Sequence, residues 1–408
     1  MKSERYLRCT LSGKHSVNSL IECAPTNHQN PSNSAYSSGY PLPSSISYLP
    51  SPAAAAASPT TIRPVGRIVT LSVTVFLALI LLRGTMCYSY YDLPNDPNIT
   101  MQWGIFQQDD DLAFTKEPHY GMGAMNAWRL RTSAASIIVA IIDSGIRYTH
   151  EDLKDNMWHN PSPTNEDIYG WNASANNGDP MDDSGHGTHC AGTIGAVGNN
   201  GIGISGVAWK VQLMACKLFD SHGNGTTDDA IACIDYARNH GARIINASWT
   251  QPEASQCLLD AITRARDEGI ILVTASGNNS RNNDIFPIYP ACYPLDNIIT
   301  VTATARTGDL AYFSNYGPQS VLLTAPGMNI YSTYFTNDSS YITLSGTSMA
   351  APYVTGALAL LAAQFPNQSY STLIAQLLAT TDLDPKLSKK VKTGRLNLAR
   401  ALSSPFKP

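Results

Sequence analysis

The chain has 408 residues, of which 43% are hydrophobic, so it can bury the core of one large domain or of two smaller ones. Its formal net charge of −4, together with the absence of a basic stripe, argues against nucleic acid as the main partner. Eight cysteines are too few to build a disulfide scaffold in a chain of this length. The composition therefore favours a globular protein with an ample apolar core.

The N-terminal part differs from the rest. Residues 1–67 are rich in Ser, Pro, Asn and Ala without helical or strand periodicity, which predicts a disordered tail. Residues 68–82 are almost wholly apolar, with Arg67 before them and Arg83 after. As a helix they would span about 22 Å, short of a hydrocarbon core of about 30 Å. We interpret them as a signal or signal-anchor segment, with a buried core helix as the alternative.

This segment predicts entry into the secretory pathway, with the globular part secreted or held by a membrane anchor outside the cytoplasm. Contact with a membrane is expected only through residues 68–82, and whether they are cleaved or retained stays open. Residues 83–120 are predicted to be a linker or an N-terminal extension, and residues 121–408 a globular domain.

Within that domain, predicted strands alternate with predicted helices. The strand-like runs are apolar and β-branched, at 136–142, 211–217, 243–247, 270–275, 298–302 and 321–325. Helical patterns occur at 189–196, 226–239, 255–268, 347–364 and 371–379. This alternation predicts a doubly wound α/β domain, with a mostly parallel sheet and helices on both faces. Functional groups of such domains lie at the carboxyl ends of the strands.

One stretch, LSGTSMAAP, joins a predicted strand to an apolar helix. Pro352 is expected within the first turn of that helix, where a backbone N–H would lack a partner anyway. Ser348 would then lie at or beside the helix N-terminus, whose dipole and free N–H groups favour developing negative charge. A serine in that place is either a helix cap or a nucleophile.

Three further polar residues lie at strand ends or helix starts. Asp143 follows the apolar run SIIVAII, His186 lies between glycines in DDSGHGTHCAGT, and Asn278 follows VTASG. Each alone also has a plain structural interpretation, as a turn cap, a helix histidine or a loop amide. With Ser348 they supply a nucleophile, its base, an acid that orients the base and an oxyanion donor. A zinc site is disfavoured because no C-x-x-C pair or H-E-x-x-H spacing is present.

The blocks IIDSGI, GHGTHCAGT, ASGN and GTSMAAP resemble the four signature blocks of the subtilases, and the similarity covers residues from about 95 to 402. The order Asp, His, Ser is also that of subtilisin. The sequence thus resembles subtilisin-like serine endopeptidases of the subtilisin and thermitase type. The resemblance implies peptide-bond hydrolysis through an acyl-enzyme. It assigns Ser348 as nucleophile, His186 as general base, Asp143 as its orienting acid and Asn278 as oxyanion donor beside the Ser348 N–H.

Two other functions make different predictions for this sequence. A lipase-like hydrolase is disfavoured by the residue order and by the missing last glycine of G-x-S-x-G. An inactive subtilase fold that is anchored to a membrane and used for binding remains the alternative function. It would predict a broken triad, whereas all three members stand in intact blocks.

The resemblance also implies where a substrate binds. An extended peptide would add as a strand against one wall of the site. The implied substrate-binding residues are Ser248, Trp249, Thr250, Ser276 and Gly277. Thr250 stands where the family usually has glycine, and Ile288 stands about where many relatives have a glycine at the floor of the main specificity pocket. No preferred substrate side chain is therefore predicted.

The stretch GNNGIGI resembles the family's strong calcium loop, whose ligands are oxygens, as a hard cation requires. The implied ligands are the carboxylates of Asp96 and Asp152, the Asn200 amide, and the carbonyls of Val197, Ile202 and Ile204. A plain Asn-Gly turn is the alternative. Calcium would be structural, and no organic cofactor is expected.

The expected partners are polypeptide substrates and a proteinaceous inhibitor or propeptide, although no propeptide pattern precedes the region of resemblance. A monomer is expected. Cys190 is interpreted as a buried thiol, whereas other cysteines could pair with a connectivity that the sequence leaves open. Glycosylation sequons suited to a secreted chain occur at Asn98, Asn172, Asn224, Asn337 and Asn367.

Overall fold

The computed structural model of the chain describes residues 16–18, 93–106 and 120–403. Its strands are β1 (Ser16–Asn18), β2 (Ser133–Asp143), β3 (Gly170–Asn172), β4 (Lys210–Lys217), β5 (Asn224–Thr226), β6 (Ile244–Ala247), β7 (Ile271–Ala275), β8 (Ile298–Thr304), β9 (Leu323–Pro326), β10 (Ile330–Tyr334) and β11 (Ser340–Leu344). Its helices are α1 (Ala124–Trp128), α2 (His186–Gly195), α3 (Thr227–Asn239), α4 (Gln256–Asp267), α5 (Thr347–Gln364), α6 (Tyr370–Ala379) and α7 (Leu398–Ser403). Short 3-10 turns lie at Ile99–Met101 and Lys154–Asn156.

Seven strands form one parallel sheet in the order β3-β4-β2-β6-β7-β8-β9. The chain extends the sheet through β4 and β3 on one side of β2, and through β6 to β9 on the other. The carboxyl end of β2 therefore lies where the direction of winding changes. In doubly wound sheets a crevice opens at this point, beyond the strand ends.

Helices cover both faces of the sheet and form two apolar layers. One layer contains Ile194 of α2 and Leu358 of α5, and the other contains Ile234 of α3 and Ile262 of α4. In α5, 16 of the 18 residues are buried, which explains why its sequence is apolar on every side. The α3 helix begins with a capping box, in which Thr226 and Asp229 satisfy each other's backbone N–H groups.

The predicted fold class is confirmed, and each predicted strand and helix of the domain is present, with ends displaced by no more than three residues. The displacement matters at α2, which begins at His186 rather than at His189. The predicted strand before Ser348 is β11. It pairs with β10 in a separate antiparallel hairpin instead of joining the main sheet.

The prediction for Pro352 is wrong, because α5 begins at Thr347 and the proline lies inside the helix, beyond its first turn. Proline has no N–H for the carbonyl four residues earlier, here that of Ser348. This carbonyl instead accepts hydrogen bonds from Ser248 Oγ at 2.9 Å and from Cys190 Sγ at 3.5 Å. An unsatisfied buried carbonyl would cost about 1–3 kcal/mol, so these two donors make the proline tolerable.

The N-terminal predictions fall mostly outside the described residues. This holds for the segment 68–82 and for the tail 1–67 apart from β1, whose Val17 pairs with Gly225 in an antiparallel two-stranded sheet. Residues 93–106, within the predicted extension, pack onto the domain, where Trp103 Nε1 donates to Met328 O at 2.9 Å. No helix in the described ranges is both long enough and apolar enough to cross a membrane.

Close packing between α5 and its neighbours generates a stability prediction. A Cβ on Gly356 would lie 2.6 Å from Val207 Cβ and 3.1 Å from the carbonyl oxygen of Ile194. Gly356→Ala should therefore lower the free energy of unfolding by about 1–2 kcal/mol, the usual cost of overpacking. Denaturant unfolding measures the change. At an open helical position the same substitution stabilises by roughly 0.5–1 kcal/mol, so a gain in stability would contradict the close contact.

Candidate active site

The centre of the site is a buried carboxylate in contact with an imidazole. Asp143 ends β2 and is fully buried, and His186 is the first residue of α2. His186 Nδ1 lies 2.8 Å from Asp143 Oδ1 and 2.9 Å from Oδ2. The N–H of Ser144 also donates to Oδ1, at 2.7 Å. Because an ionised carboxylate only accepts, Nδ1 carries the proton and Nε2 of the neutral ring is left as the acceptor.

The electrostatics of this pair favour a charged imidazole. Burial by itself lowers the pKa of His186, but the charge of Asp143 and its hydrogen bond to the ring act in the opposite direction. Asp182 adds a smaller effect of the same sign, and the resulting pKa of His186 lies above its ordinary value. The ring can therefore take up a proton, although it is almost inaccessible to solvent.

A cleft lies beside this pair, at the carboxyl ends of the strands. It is lined by His186, Phe219, Ser248, Trp249, Thr250, Ala275, Gly277, Asn278, Asn279, Thr347 and Ser348. Ser348 is the second residue of α5, so its backbone N–H is one of those that a helix leaves without an internal partner. The structure thus brings His186, Asn278 and Ser348 to one cleft, with Asp143 behind the histidine.

Asn278 is held in one orientation. Its Oδ1 accepts hydrogen bonds from both the N–H and the Oγ1 of Thr347, each at 2.9 Å. The residue before it, Gly277, has a φ of +98°, and its N–H donates to Thr347 Oγ1 at 3.1 Å. With the amide oxygen occupied in this way, the Nδ2 group of Asn278 is the part that remains to donate.

The predicted substrate-binding residues divide into two groups. Ser248, Trp249, Thr250 and Gly277 line the cleft, whereas Ser276 lies below it with its Oγ donating to Asn315 O at 3.2 Å. Trp249 is only 4% exposed, so most of its indole belongs to the core. The Cδ1 atom of Ile288 lies 2.7 Å from the place of a Cβ on Gly277, so this side chain packs against the backbone of the cleft wall.

A second cluster surrounds the loop 198–204, away from the cleft. Asp152 accepts from Asn200 Nδ2 and from the N–H of Ile204, both at 2.9 Å. Asp96 accepts from the N–H groups of Asn199 at 2.8 Å and Asn200 at 3.0 Å. Both carboxylates are therefore drawn to the same loop from distant parts of the chain.

The donor chemistry of this cluster fits a hard cation. The pKa of Asp152 is raised to about 7, chiefly by burial and to a smaller extent by the negative charge of Asp96, against the hydrogen bonds that lower it. Two buried carboxylates without a compensating charge are costly, and an ion held by oxygens removes that cost. Asp96, Asp152 and Asn200 would hold the ion with the loop carbonyls of Val197, Ile202 and Ile204.

Sequence reasoning missed residues that organise the site. Thr347 fixes the Asn278 amide, and Phe219 lines the cleft from the segment after β4. Ser144 directly follows Asp143, and Asp182 precedes His186 by four residues. Ser144 and Asp182 form a buried hydrogen bond of 2.9 Å. Thr347 and Asp182 stand within the quoted blocks GTSMAAP and DDSGHGTHCAGT, but the blocks alone do not show which side chains meet.

A parallel α/β sheet with a serine, a histidine and a buried aspartate at its carboxyl edge is typical of serine hydrolases. Comparison with known proteins agrees. The Peptidase S8 model, described as the subtilase family, matches residues 134–399. Thermitase of Thermoactinomyces vulgaris is 36% identical over 279 residues, which cover 68% of this chain and 92% of that protein. The chain therefore belongs to the subtilase family, whose enzyme class is serine-type endopeptidase.

Two further relatives extend the comparison. Subtilisin-like protease 1 of Plasmodium vivax is 34% identical over 330 residues, 74% of this chain, and the chain spans 50% of the length of that protein. A solved structure of a protease from Pseudoalteromonas arctica PAMC 21717 aligns with a TM-score of 0.63 at 26% identity. That alignment covers 76% of this chain and 98% of the other. The fold is thus shared along nearly all of the solved chain.

His189, one turn beyond His186, generates a prediction for stability against pH. It is fully buried, and its Nε2 lies 3.0 Å from Ile330 O. Burial lowers its pKa to about 3, whereas an unfolded histidine titrates near 6.5. Between these pH values only the unfolded chain binds the proton, so stability falls as the pH falls from 6.5 towards 3, by about 1.4 kcal/mol per pH unit.

The variant His189→Gln should lose this contribution. Unfolding free energies measured from pH 7 to pH 4, with a protease inhibitor present throughout, should then depend less steeply on pH than those of the parent. An unchanged slope would mean that His189 is protonated, or exposed, in the folded protein.

Proposed function

We propose that the protein hydrolyses peptide bonds of polypeptides, with Ser348 as nucleophile, His186 as general base and Asp143 as the acid that orients the base. The observation that carries this proposal is the buried hydrogen bond between Asp143 and His186 Nδ1, with Ser348 at a helix start in the same cleft. His186 Nε2 takes the Ser348 proton as Oγ attacks the peptide carbonyl. It then returns that proton to the leaving amine, and water hydrolyses the acyl-enzyme.

The negative charge of the tetrahedral intermediate needs donors that are fixed in advance. Asn278 is suited to this role because Thr347 occupies its amide oxygen, which leaves the NH2 group as donor. The backbone N–H of Ser348, at the start of α5, would be the second donor. The backbone of Ser348 is held in place because its carbonyl accepts hydrogen bonds from Ser248 and Cys190 instead of from a helical N–H.

Polypeptide substrates suit the shape of the cleft. The wall formed by Ser248, Trp249 and Thr250 continues directly from β6, so an extended peptide can lie along it. Thr250 and Ile288 place branched side chains where the family pattern has glycines. Thr250 lines the cleft and would reduce the space available to a substrate side chain, whereas Ile288 packs against Gly277 in the cleft wall. The preferred substrate residue is left open.

We also propose a structural calcium ion in the loop 198–204, since the buried carboxylates of Asp96 and Asp152 both converge on the backbone N–H groups of this loop. The ion would hold the N-terminal segment around Asp96 to the domain, because Asp96 lies 103 positions before Asn199 in sequence and yet accepts a hydrogen bond from the N–H of that loop residue. It would have no part in the chemistry of the cleft.

The boundaries and location of the protein are proposed from its sequence. The peptidase domain would occupy residues 121–408, after an extension over 83–120, and residues 68–82 would direct the chain into the secretory pathway. Expression with a tag at the C-terminus, followed by fractionation, tests this routing. Recovery of the tag in the cytosol alone would contradict it.

The catalytic assignment is tested with the purified protein and a fluorophosphonate probe, which reacts only with an activated serine. Wild type should be labelled and should cleave peptide substrates, whereas Ser348→Ala should do neither. Asn278→Leu should keep labelling but lose about 10²- to 10³-fold in kcat, the usual effect of removing one oxyanion donor. Asn239→Leu, an exposed position at the end of α3, is the matched control and should retain activity.

Two outcomes would overturn this assignment. If folded wild type is neither labelled nor active, the fold serves binding rather than hydrolysis. If Ser348→Ala is still labelled, another residue is the nucleophile.

The calcium proposal is tested by thermal unfolding of Ser348→Ala protein with calcium or with a chelator. Ligand binding at 100 times Kd contributes about 2.7 kcal/mol, so calcium should raise Tm by roughly 5 °C. Asp152→Asn should abolish most of this rise. Asp155→Asn removes the same charge at an exposed position nearby and should leave it intact. Equal Tm values with and without calcium would exclude the site.

A further inference from the structure

A second buried carboxylate lies behind the proposed catalytic pair. Asp182 is 3% exposed and precedes His186 by four residues. Its Oδ1 accepts from Ser144 Oγ at 2.9 Å and from the N–H groups of Ser184 at 3.0 Å and Gly185 at 2.8 Å. Its Oδ2 accepts from the N–H of Thr188 at 2.9 Å and from its Oγ1 at 2.5 Å. Five donors therefore converge on one carboxylate. Burial raises the pKa of Asp182, whereas the hydrogen bonds from Thr188, Gly185 and Ser184 act against that rise and favour the ionised form.

These bonds join the two segments that carry the pair. Ser144 directly follows Asp143, and its Oγ, besides donating to Asp182, accepts from the N–H of Gly187 at 2.9 Å. Gly187 directly follows His186. Asp182 and Ser144 thus cross-link the end of β2 to the first turn of α2, on the side away from the cleft.

The two backbones also approach very closely at this place. A Cβ on Gly187 would lie 2.1 Å from the carbonyl oxygen of Gly145 and 3.1 Å from Asp143 Cβ. Such an approach leaves little freedom for α2 to slide along β2. The hydrogen bonds of Asp182 and Ser144 hold the start of α2 in this close contact with the end of β2. We therefore expect them to set the distance between His186 Nδ1 and Asp143.

Titratable groups near the imidazole come from several elements. Asp143 bonds to the ring from β2, and the charge of Asp182 in the preceding loop acts on it as well. His189 and Cys190 lie on the same helix as His186, and the ammonium of Lys217 lies at the end of β4. Lys217 Nζ donates to Ser144 O at 2.7 Å and to Asp183 Oδ1 at 2.6 Å, so the half-exposed Asp183 compensates its charge. Asp182, by contrast, is a buried carboxylate near His186 whose five hydrogen-bond donors are all uncharged.

We propose that Asp182 is a positioning residue of the active site. It fixes the turn after Asp143 to the start of α2, and its negative charge favours the imidazolium that forms when His186 accepts the Ser348 proton. It touches neither the substrate nor the reacting atoms. This inference rests on the catalytic role proposed for His186.

The first test is an NMR titration of the His186 ring in a Ser348→Ala background, which needs no catalytic activity. Asp182→Asn should lower the pKa of His186 by about 1 pH unit, since one nearby negative charge is removed. Asp179→Asn removes the same charge from an exposed position three residues earlier and should leave that pKa unchanged. A folded Asp182→Asn protein with an unshifted His186 would overturn the proposal.

The second test uses active protein. Because the base must be neutral, a lower pKa of His186 should move the acidic limb of the kcat/KM profile to lower pH in Asp182→Asn. Loosened geometry should at the same time reduce kcat by about 10-fold to 100-fold, with KM little changed. A purely structural role would lower the yield of folded protein without moving the limb.

Two milder variants keep the proposal falsifiable if Asp182→Asn does not fold. Ser144→Ala and Thr188→Val each remove part of the cross-link but retain the Asp182 charge, so kcat should fall while the acidic limb stays within a few tenths of a pH unit. Wild-type kcat in both folded variants would overturn the positioning role. If wild type proves inactive but the His186 pKa still responds to Asp182→Asn, the proposed hydrolysis fails and the electrostatic coupling stands.

Discussion

The active-site region depends on one constraint: a carboxylate with no access to solvent must be satisfied by the protein itself. Asp143 lies at the end of β2, an interior strand of the sheet, where burial is complete. Removing a carboxylate from water costs several kcal/mol unless charge and hydrogen bonds compensate. The Ser144 N–H and the His186 ring provide that compensation, and in doing so they set the tautomer of the histidine. The hydrogen bond that compensates the buried Asp143 carboxylate is thus the same one that orients His186, the proposed base.

The same logic explains the helix that carries Ser348. A proline within α5 removes a helical hydrogen bond, and the carbonyl left without a partner is that of Ser348. Ser248 and Cys190 replace the missing donor, and they come from the proposed substrate wall and from α2. The hydrogen bond that α5 lacks is therefore replaced by bonds that hold α5 to the proposed substrate wall and to α2. The proposed catalytic role requires these three segments to keep fixed positions relative to one another. Rigid placement of this kind is what proximity effects in catalysis require.

The loop 198–204 shows the same principle away from the cleft. Asp96 and Asp152 are far apart in sequence, and both satisfy their oxygens on backbone N–H groups of the loop. The negative charge of Asp96 raises the pKa of Asp152, and this repulsion is one of the grounds for the calcium ion proposed at the loop. Family membership rests on the sequence comparisons, and the fold rests on the order of the strands in the sheet. The proposal for this loop rests separately on its hydrogen bonds to Asp96 and Asp152.

The sequence by itself determined the fold class, the main strands and helices of the domain and the four polar residues at strand ends and helix starts. It could do so because continuous β-branched runs, helical periodicity and short signature blocks are local patterns. It placed Pro352 in a first turn and α2 three residues too late, because the ends of helices depend on partners that are distant in sequence. Only the tertiary structure decided that Thr347 orients Asn278, that Ser248 and Cys190 hold the Ser348 carbonyl, and that Asp182 joins Ser144 to α2. Those contacts cross 38 to 158 positions of sequence, and buried polar groups reveal their partners only when the strands and helices have been packed together.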